Sequence, residues 1–158
     1  MASPLELRLG AQVEASSDPD VRASLLAEIA CYLARVGEFD EADRLRRQLR
    51  DVYGDGRCIS VSIQLMALDA LLLYFKELSP AARDRMARAN LIAVASGSVR
   101  WIGLTSAWLA HIDFNLNRFE SMIHEIATTL NSISGDDGSA ECRISLVLGD
   151  AFLFCGQF

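Results

Sequence analysis

The chain has two histidines, His111 and His124, and neither stands where catalysis or metal binding would want it. They fall on different predicted helices, and no His-x-x-x-His or Glu-x-x-His pair exists. His111 and Asp113 are two residues apart, so a helix points them to different faces. His111 therefore reads as a structural or groove-lining residue. The cysteines Cys31, Cys58, Cys142 and Cys155 form no Cys-x-x-Cys, have no zinc-type spacing and lie inside apolar helical patterns. Reduced, buried thiols fit them better than a disulfide framework. No P-loop, Gly-x-Gly-x-x-Gly or Gly-x-Ser-x-Gly is present, and Gly97-Ser98-Val99-Arg100 reads as a helix break. The loop Gly135-Asp136-Asp137-Gly138 lacks the further oxygen ligands of a calcium loop and reads as a solvated turn. The expectation is a protein that is not an enzyme, with no metal and no cofactor.

The charged residues suggest contacts instead. Arg44, Arg46, Arg47 and Arg50 cluster on one predicted helix among Asp40, Glu41, Asp43 and Asp51. Their simplest reading is a charged outer face with an Asp43–Arg47 pair at i,i+4. The sharper alternative is a partner-docking patch, with Arg83, Arg85 and Arg88 on the same outer side. The net charge of −6 argues against nonspecific nucleic-acid binding, which needs a basic stripe. Lys76 is the sole lysine, the other basic residues being arginine, and this is read as coding bias in a GC-rich bacterial genome.

The elements that must position these residues are helices. Apolar residues make up 51% of the 158-residue chain, with 8% aromatic and three prolines, a balance suited to packed Leu/Ala helices. Ser3-Pro4 opens a helix to about residue 15, and Ser16-Ser17-Asp18-Pro19 breaks it and caps the next. Helix two, 19–36, carries Leu25, Leu26, Ile29, Leu33 and Val36 on one stripe and ends at Gly37. Asp40 caps helix three, 40–53, with Asp43 at its third position. Helix four, 57–76, is the most apolar. Helices five (to 95), six (99–115) and seven (118–133) follow, then helix eight (139–155). Short connections make sequential helices antiparallel neighbours. The N-terminus has no secretory pattern. Residues 59–75 hold Ser60, Ser62, Gln64 and Asp69 and fall short of the roughly 20 apolar residues of a membrane span. No membrane and a cytoplasmic location are expected.

A turn phrase recurs along this pattern. Residues 33–42 read Leu-Ala-Arg-Val-Gly-Glu-Phe-Asp-Glu-Ala, residues 148–158 end in Phe-Cys-Gly-Gln-Phe, and Asn117-Arg118-Phe119-Glu120 is a weaker copy. Gly37, Asn117 and Gly156 are 80 and 39 residues apart, so a period of about 40 fits, with one turn near Glu77 at Lys76-Glu77-Leu78-Ser79-Pro80. The segment Leu26–Leu49 resembles a tetratricopeptide repeat. Ala30 stands at its small position, Leu33 at its usual Tyr, Gly37-Glu38-Phe39 at the turn and Ala42 at the signature alanine. Leu148-Gly149, Phe152 and Gly156-Gln157-Phe158 match in the last unit. Departures are Ala110, Asp113 and Met122 in the third unit, a second unit with almost none of the signature, and a period longer than the family's usual one of about 34. The likeness is to the degenerate, longer repeats of bacterial regulators.

The resemblance implies an all-α, right-handed superhelix of antiparallel helix hairpins with about eight helices. It would be a single repeat domain over residues 1–158 and the N-terminal part of a longer protein, cut within its last repeat. The first helix of each hairpin would line a concave groove. Carried over unit by unit, that groove receives Arg35, then Gln64, Leu71 and Tyr74, then His111 and Asn115, then Arg143 and Asp150. The expected function is protein or peptide recognition within a bacterial signalling or transcription protein, with a homodimer through the terminal helix as a second mode. The alternative is a small-molecule sensor that uses the same groove. The Lys/Asn carboxylate clamp of chaperone-binding relatives is absent.

Overall fold

Asp18 shows how this sequence starts a helix. In the computed structural model, which describes residues 4–77 and 79–133, its carboxylate accepts the Asp20 and Val21 N–H groups at 2.8 and 3.4 Å. Pro19 occupies the first helical position, where a missing N–H costs nothing. Seven helices follow among the described residues, without strands: α1 Pro4–Ala15, α2 Pro19–Arg35, α3 Phe39–Tyr53, α4 Ile59–Glu77, α5 Pro80–Ser96, α6 Val99–Asn115 and α7 Phe119–Ile133. The all-α expectation holds. The predicted eighth helix, the Gly135–Gly138 loop, Cys142, Cys155, Arg143 and Asp150 lie outside the described residues.

The helices end where glycine or asparagine can turn the chain. After α2, Gly37 sits at φ +89°. The Glu38 N–H reaches Leu33 O at 2.9 Å and the Gly37 N–H reaches Ala34 O at 3.4 Å. These are the two bonds of a Schellman motif. After α6, Asn117 sits at φ +59°, Arg118 N–H reaches Asp113 O at 2.8 Å and Asn117 N–H reaches Phe114 O at 3.0 Å. The two turns match bond for bond, 80 residues apart. Asp40 does not cap α3. The helix begins one residue before it, at Phe39, its N-cap is Glu38, and no side chain caps it. Asp40 instead adds negative charge to the first turn, beside Glu41. Asp43 consequently lies beyond the third position, where it pairs with Arg46 at 2.6 Å and Arg47 at 3.3 Å.

The chain divides into two compact units, residues 1–76 and 77–158. In the first, α2 and α3 form a hairpin on a stripe of small residues. Ala27, Ala30 and Ala34 on α2 and Ala42 on α3 are wholly buried, so the helices can approach closely. Leu45, Leu49 and Tyr53 extend the buried face of α3 at three- and four-residue spacing. Burying each such leucine stabilises by about 1.5–3 kcal/mol. The Tyr53 hydroxyl donates to Pro19 O at 2.9 Å and ties the end of α3 to the start of α2. Helix α4 completes this core with Val61 and Leu65, and α1 packs on α2.

The second unit repeats the plan. Helices α6 and α7 form a hairpin over Ala107, Ala110, Met122 and Ile126. Gly103, Ala107 and Ala110 occupy the positions that Ala23, Ala27 and Ala30 hold in α2, again 80 residues on. Phe114 and Phe119 meet edge-on at 5.8 Å across the turn. Helix α5 packs on α6 with Ala82, Met86, Ala89 and Ala93 buried.

Candidate functional site

The small residues on α6 do more than close the hairpin. They share the buried side of the helix with Leu109 and Ile112, and a second row of residues is only partly covered. Trp101, Leu104, Trp108, His111 and Asn115 recur at three- and four-residue intervals, and every one is half-buried. They form a ledge along the helix. The Arg100 guanidinium lies 5.3 Å from the Trp101 ring centroid, within cation–π range. Trp108 and His111 stand edge-on at 5.6 Å. The Asn115 amide donates to His111 O at 2.8 Å, which leaves its carbonyl oxygen as an acceptor. The chain's two tryptophans thus sit on one helix face with an imidazole and an amide. Half-buried aromatics with polar tips are the side chains that anchor protein interfaces.

The groove residues expected from the sequence are placed unevenly. His111 and Asn115 belong to the α6 ledge. Arg35 is exposed at the end of α2, the position that Asn115 takes on α6. Tyr74 on α4 is half-buried, edge-on to Phe75 at 4.9 Å, and desolvation raises its hydroxyl pKa. Gln64 and Leu71 are corrections, because each is only 2% exposed and lines no open surface. Gln64 is used internally. Its amide donates to Ser24 O at 3.0 Å and its carbonyl accepts the Ser24 hydroxyl at 3.0 Å, which fastens α4 to α2. The register carried over from the tetratricopeptide resemblance puts Gln64 in the groove, whereas burial with matched partners satisfies its amide inside the unit. Trp101 and Trp108 were legible only as members of a helical stripe. The signal for their role was the alanine and glycine stripe that claims the opposite face.

Two of the four α3 arginines also leave the outer face. Arg46 and Arg50 turn onto Asp69 of α4, at 2.7 and 2.6 Å. Arg44 and Arg47 stay exposed and pair with Glu41 and Asp43 within their own helix. On α5, Arg83 likewise turns inward. Its Nε donates to Asp113 Oδ1 at 2.7 Å and its Nη2 to Glu125 Oε1 at 3.0 Å, linking α5, α6 and α7. Arg85 and Arg88 remain exposed. Among the described residues, each unit therefore carries an arginine–carboxylate cluster and an amide–serine pair that join its helices, the second pair being Asn90 with Ser106 at 2.6 Å.

No group of three His, Cys, Asp or Glu among the described residues could hold a metal ion. Cys31 and Cys58 are unbridged and only partly buried as residues. Burial nevertheless pushes the Cys31 thiol up to about 12, with Glu28 adding to the rise and Arg35 opposing it. Such a thiol is protonated at neutral pH and is a poor nucleophile. Helix α4 is long and apolar enough to cross a membrane, but half of its apolar stretch is buried and its Asp69 is bound by two arginines. No family model matches the chain, no curated protein matches it in sequence, and no solved structure matches it.

Proposed function

We propose that this chain is a helical-repeat binding module that recognises a protein or peptide through the half-buried ledge of α6. The observation that carries the reading is the pair of hairpins, α2–α3 and α6–α7, with the same turn hydrogen bonds and the same buried small-residue stripe 80 residues apart. Repetition of one hairpin is the mark of a solenoid, and solenoids expose extended binding surfaces. The proposed arrangement is a right-handed superhelix of antiparallel hairpins of the tetratricopeptide type. In such a superhelix the first helix of each hairpin faces the ligand, and α6 is a first helix. Its two indoles, imidazole and amide suit an extended or helical peptide better than a compact charged metabolite. In this reading α4 is a core helix of a cytoplasmic protein, and the module regulates a larger bacterial signalling or transcription protein.

The test is selection of binding peptides from a displayed random library against the chain, followed by titration of the winners against Trp108→Ala and His111→Ala. Selected peptides should lose at least tenfold in affinity for the Trp108 variant, about 1.4 kcal/mol, while circular dichroism stays helical. Equal binding by wild type and both variants would remove the ledge from the account. A thermal-shift screen that finds one strongly stabilising metabolite, with no peptide selected, would favour the sensor alternative.

A further inference from the structure

The two arginine–carboxylate clusters differ in how their charges are shared. On α3 and α4, Arg46 and Arg50 both bind Asp69, and Arg46 also binds Asp43. On α5, α6 and α7 one guanidinium, Arg83, serves both Asp113 and Glu125. Asp113 is fully buried, and the Arg83 side chain is 18% exposed. The bonds to Arg83 use Asp113 Oδ1 and Glu125 Oε1. The other two oxygens, Asp113 Oδ2 and Glu125 Oε2, are buried and receive no hydrogen bond. Two orphaned acceptors in one cluster are costly, since each forfeits its solvation without replacement. The cluster lacks one donor and carries one negative charge too many.

We propose that a proton supplies both: Glu125 binds one proton from solvent, and this uptake completes the three-helix fastening. The remaining charge is then one carboxylate against one guanidinium, and Glu125 gains an O–H that can donate. Glu125 is the member able to exchange with solvent, because its side chain is 28% exposed while that of Asp113 is not exposed at all. The charged neighbours act in opposing directions. Burial and the Asp113 charge on α6 raise the Glu125 pKa, while Arg83 on α5, Arg118 in the α6–α7 turn and His124 on α7 lower it, with a net rise. Arg118 stands 4.0 Å from Asp113 Oδ1 and is half exposed, so it offsets the excess charge only in part. Asp84 on α5 adds a further negative charge near Arg83. The folded state thus holds the Glu125 proton more tightly than the unfolded chain. The stabilisation is complete below the ordinary glutamate range and is lost as pH rises through the raised folded value. Protonation of Glu125 tightens the α5–α6–α7 unit and its loss loosens it.

The experiment is a carboxyl carbon NMR titration of the whole chain with labelled glutamate, together with thermal unfolding followed from the ordinary glutamate range upward in pH. The Glu125 resonance should titrate above those of the exposed glutamates. Through the same pH range the wild-type Tm should fall as pH rises. Glu125→Gln, which carries a permanent donor and no charge, should remove that slope, and His124→Gln should keep it. A Glu125 resonance that titrates with the exposed glutamates, or a slope that persists in Glu125→Gln, overturns the proposal. If Glu125→Gln fails to fold, the wild-type resonance decides the matter alone.

Discussion

Asp69 is the residue on which the first unit's polar interior turns. It sits in the most apolar helix, 8% exposed, and takes a guanidinium from Arg46 and another from Arg50. Removing a buried partner costs more than the pair contributes, because the other charge is left without compensation. Asp69→Ala should destabilise the chain by about 2 kcal/mol, below the usual range for fully buried pairs because Arg50 retains access to water. Arg46→Ala should cost more than Arg50→Ala, since the Arg46 side chain is 23% exposed and that of Arg50 is 47%. Urea unfolding of the three variants checks the order. Cys31 offers a second residue-scale test. In a variant that keeps Cys31 as its lone cysteine, alkylation at about pH 8 should be far slower in the folded than in the unfolded chain, because burial holds the thiol protonated up to about 12. Equal rates in the two states would contradict the burial.

At the scale of elements, the hairpin turns were legible in the sequence and the helix pairings were not. Gly37 and Asn117 announced their turns because few other residues accept a positive φ. The space around Gly37 is open to a Cβ, so Gly37→Ala tests the backbone alone. It should cost about 1–2 kcal/mol, and Asn117→Gly should be neutral or stabilise by a few tenths of a kcal/mol. The alanine stripe was legible at Ala30 and Ala42, both wholly buried. Ala42→Leu should overpack the α2–α3 contact and cost about 1–3 kcal/mol or more, read by thermal unfolding. The inward turn of Arg46, Arg50 and Arg83 was not legible. Each lies on a helix rich in charge, and its partner is 19 to 42 residues away. Nothing local distinguishes an arginine that reaches a buried carboxylate from one that faces water. Asp40 and Glu38 show a smaller limit of the same kind. A capping residue type was present at position 40, but the Schellman bonds of Gly37 and Glu38 start the next helix one residue sooner.

At the scale of the whole molecule, each unit follows one design. A hairpin closes on small residues, and a further helix is fastened to both of its members by an amide–serine pair and an arginine–carboxylate cluster. With Gly103, Ala107 and Ala110 on its buried side, α6 presents both tryptophans of the chain on one half-buried face. Those two indoles make the central claim directly measurable. In an amide-correlation NMR spectrum of the nitrogen-labelled chain they give two indole N–H signals, one from Trp101 and one from Trp108. Titration with a library-selected peptide should shift both signals, with Arg85→Ala leaving the shifts in place. A peptide that binds with comparable affinity while both indole signals stay fixed would contradict recognition through the α6 ledge.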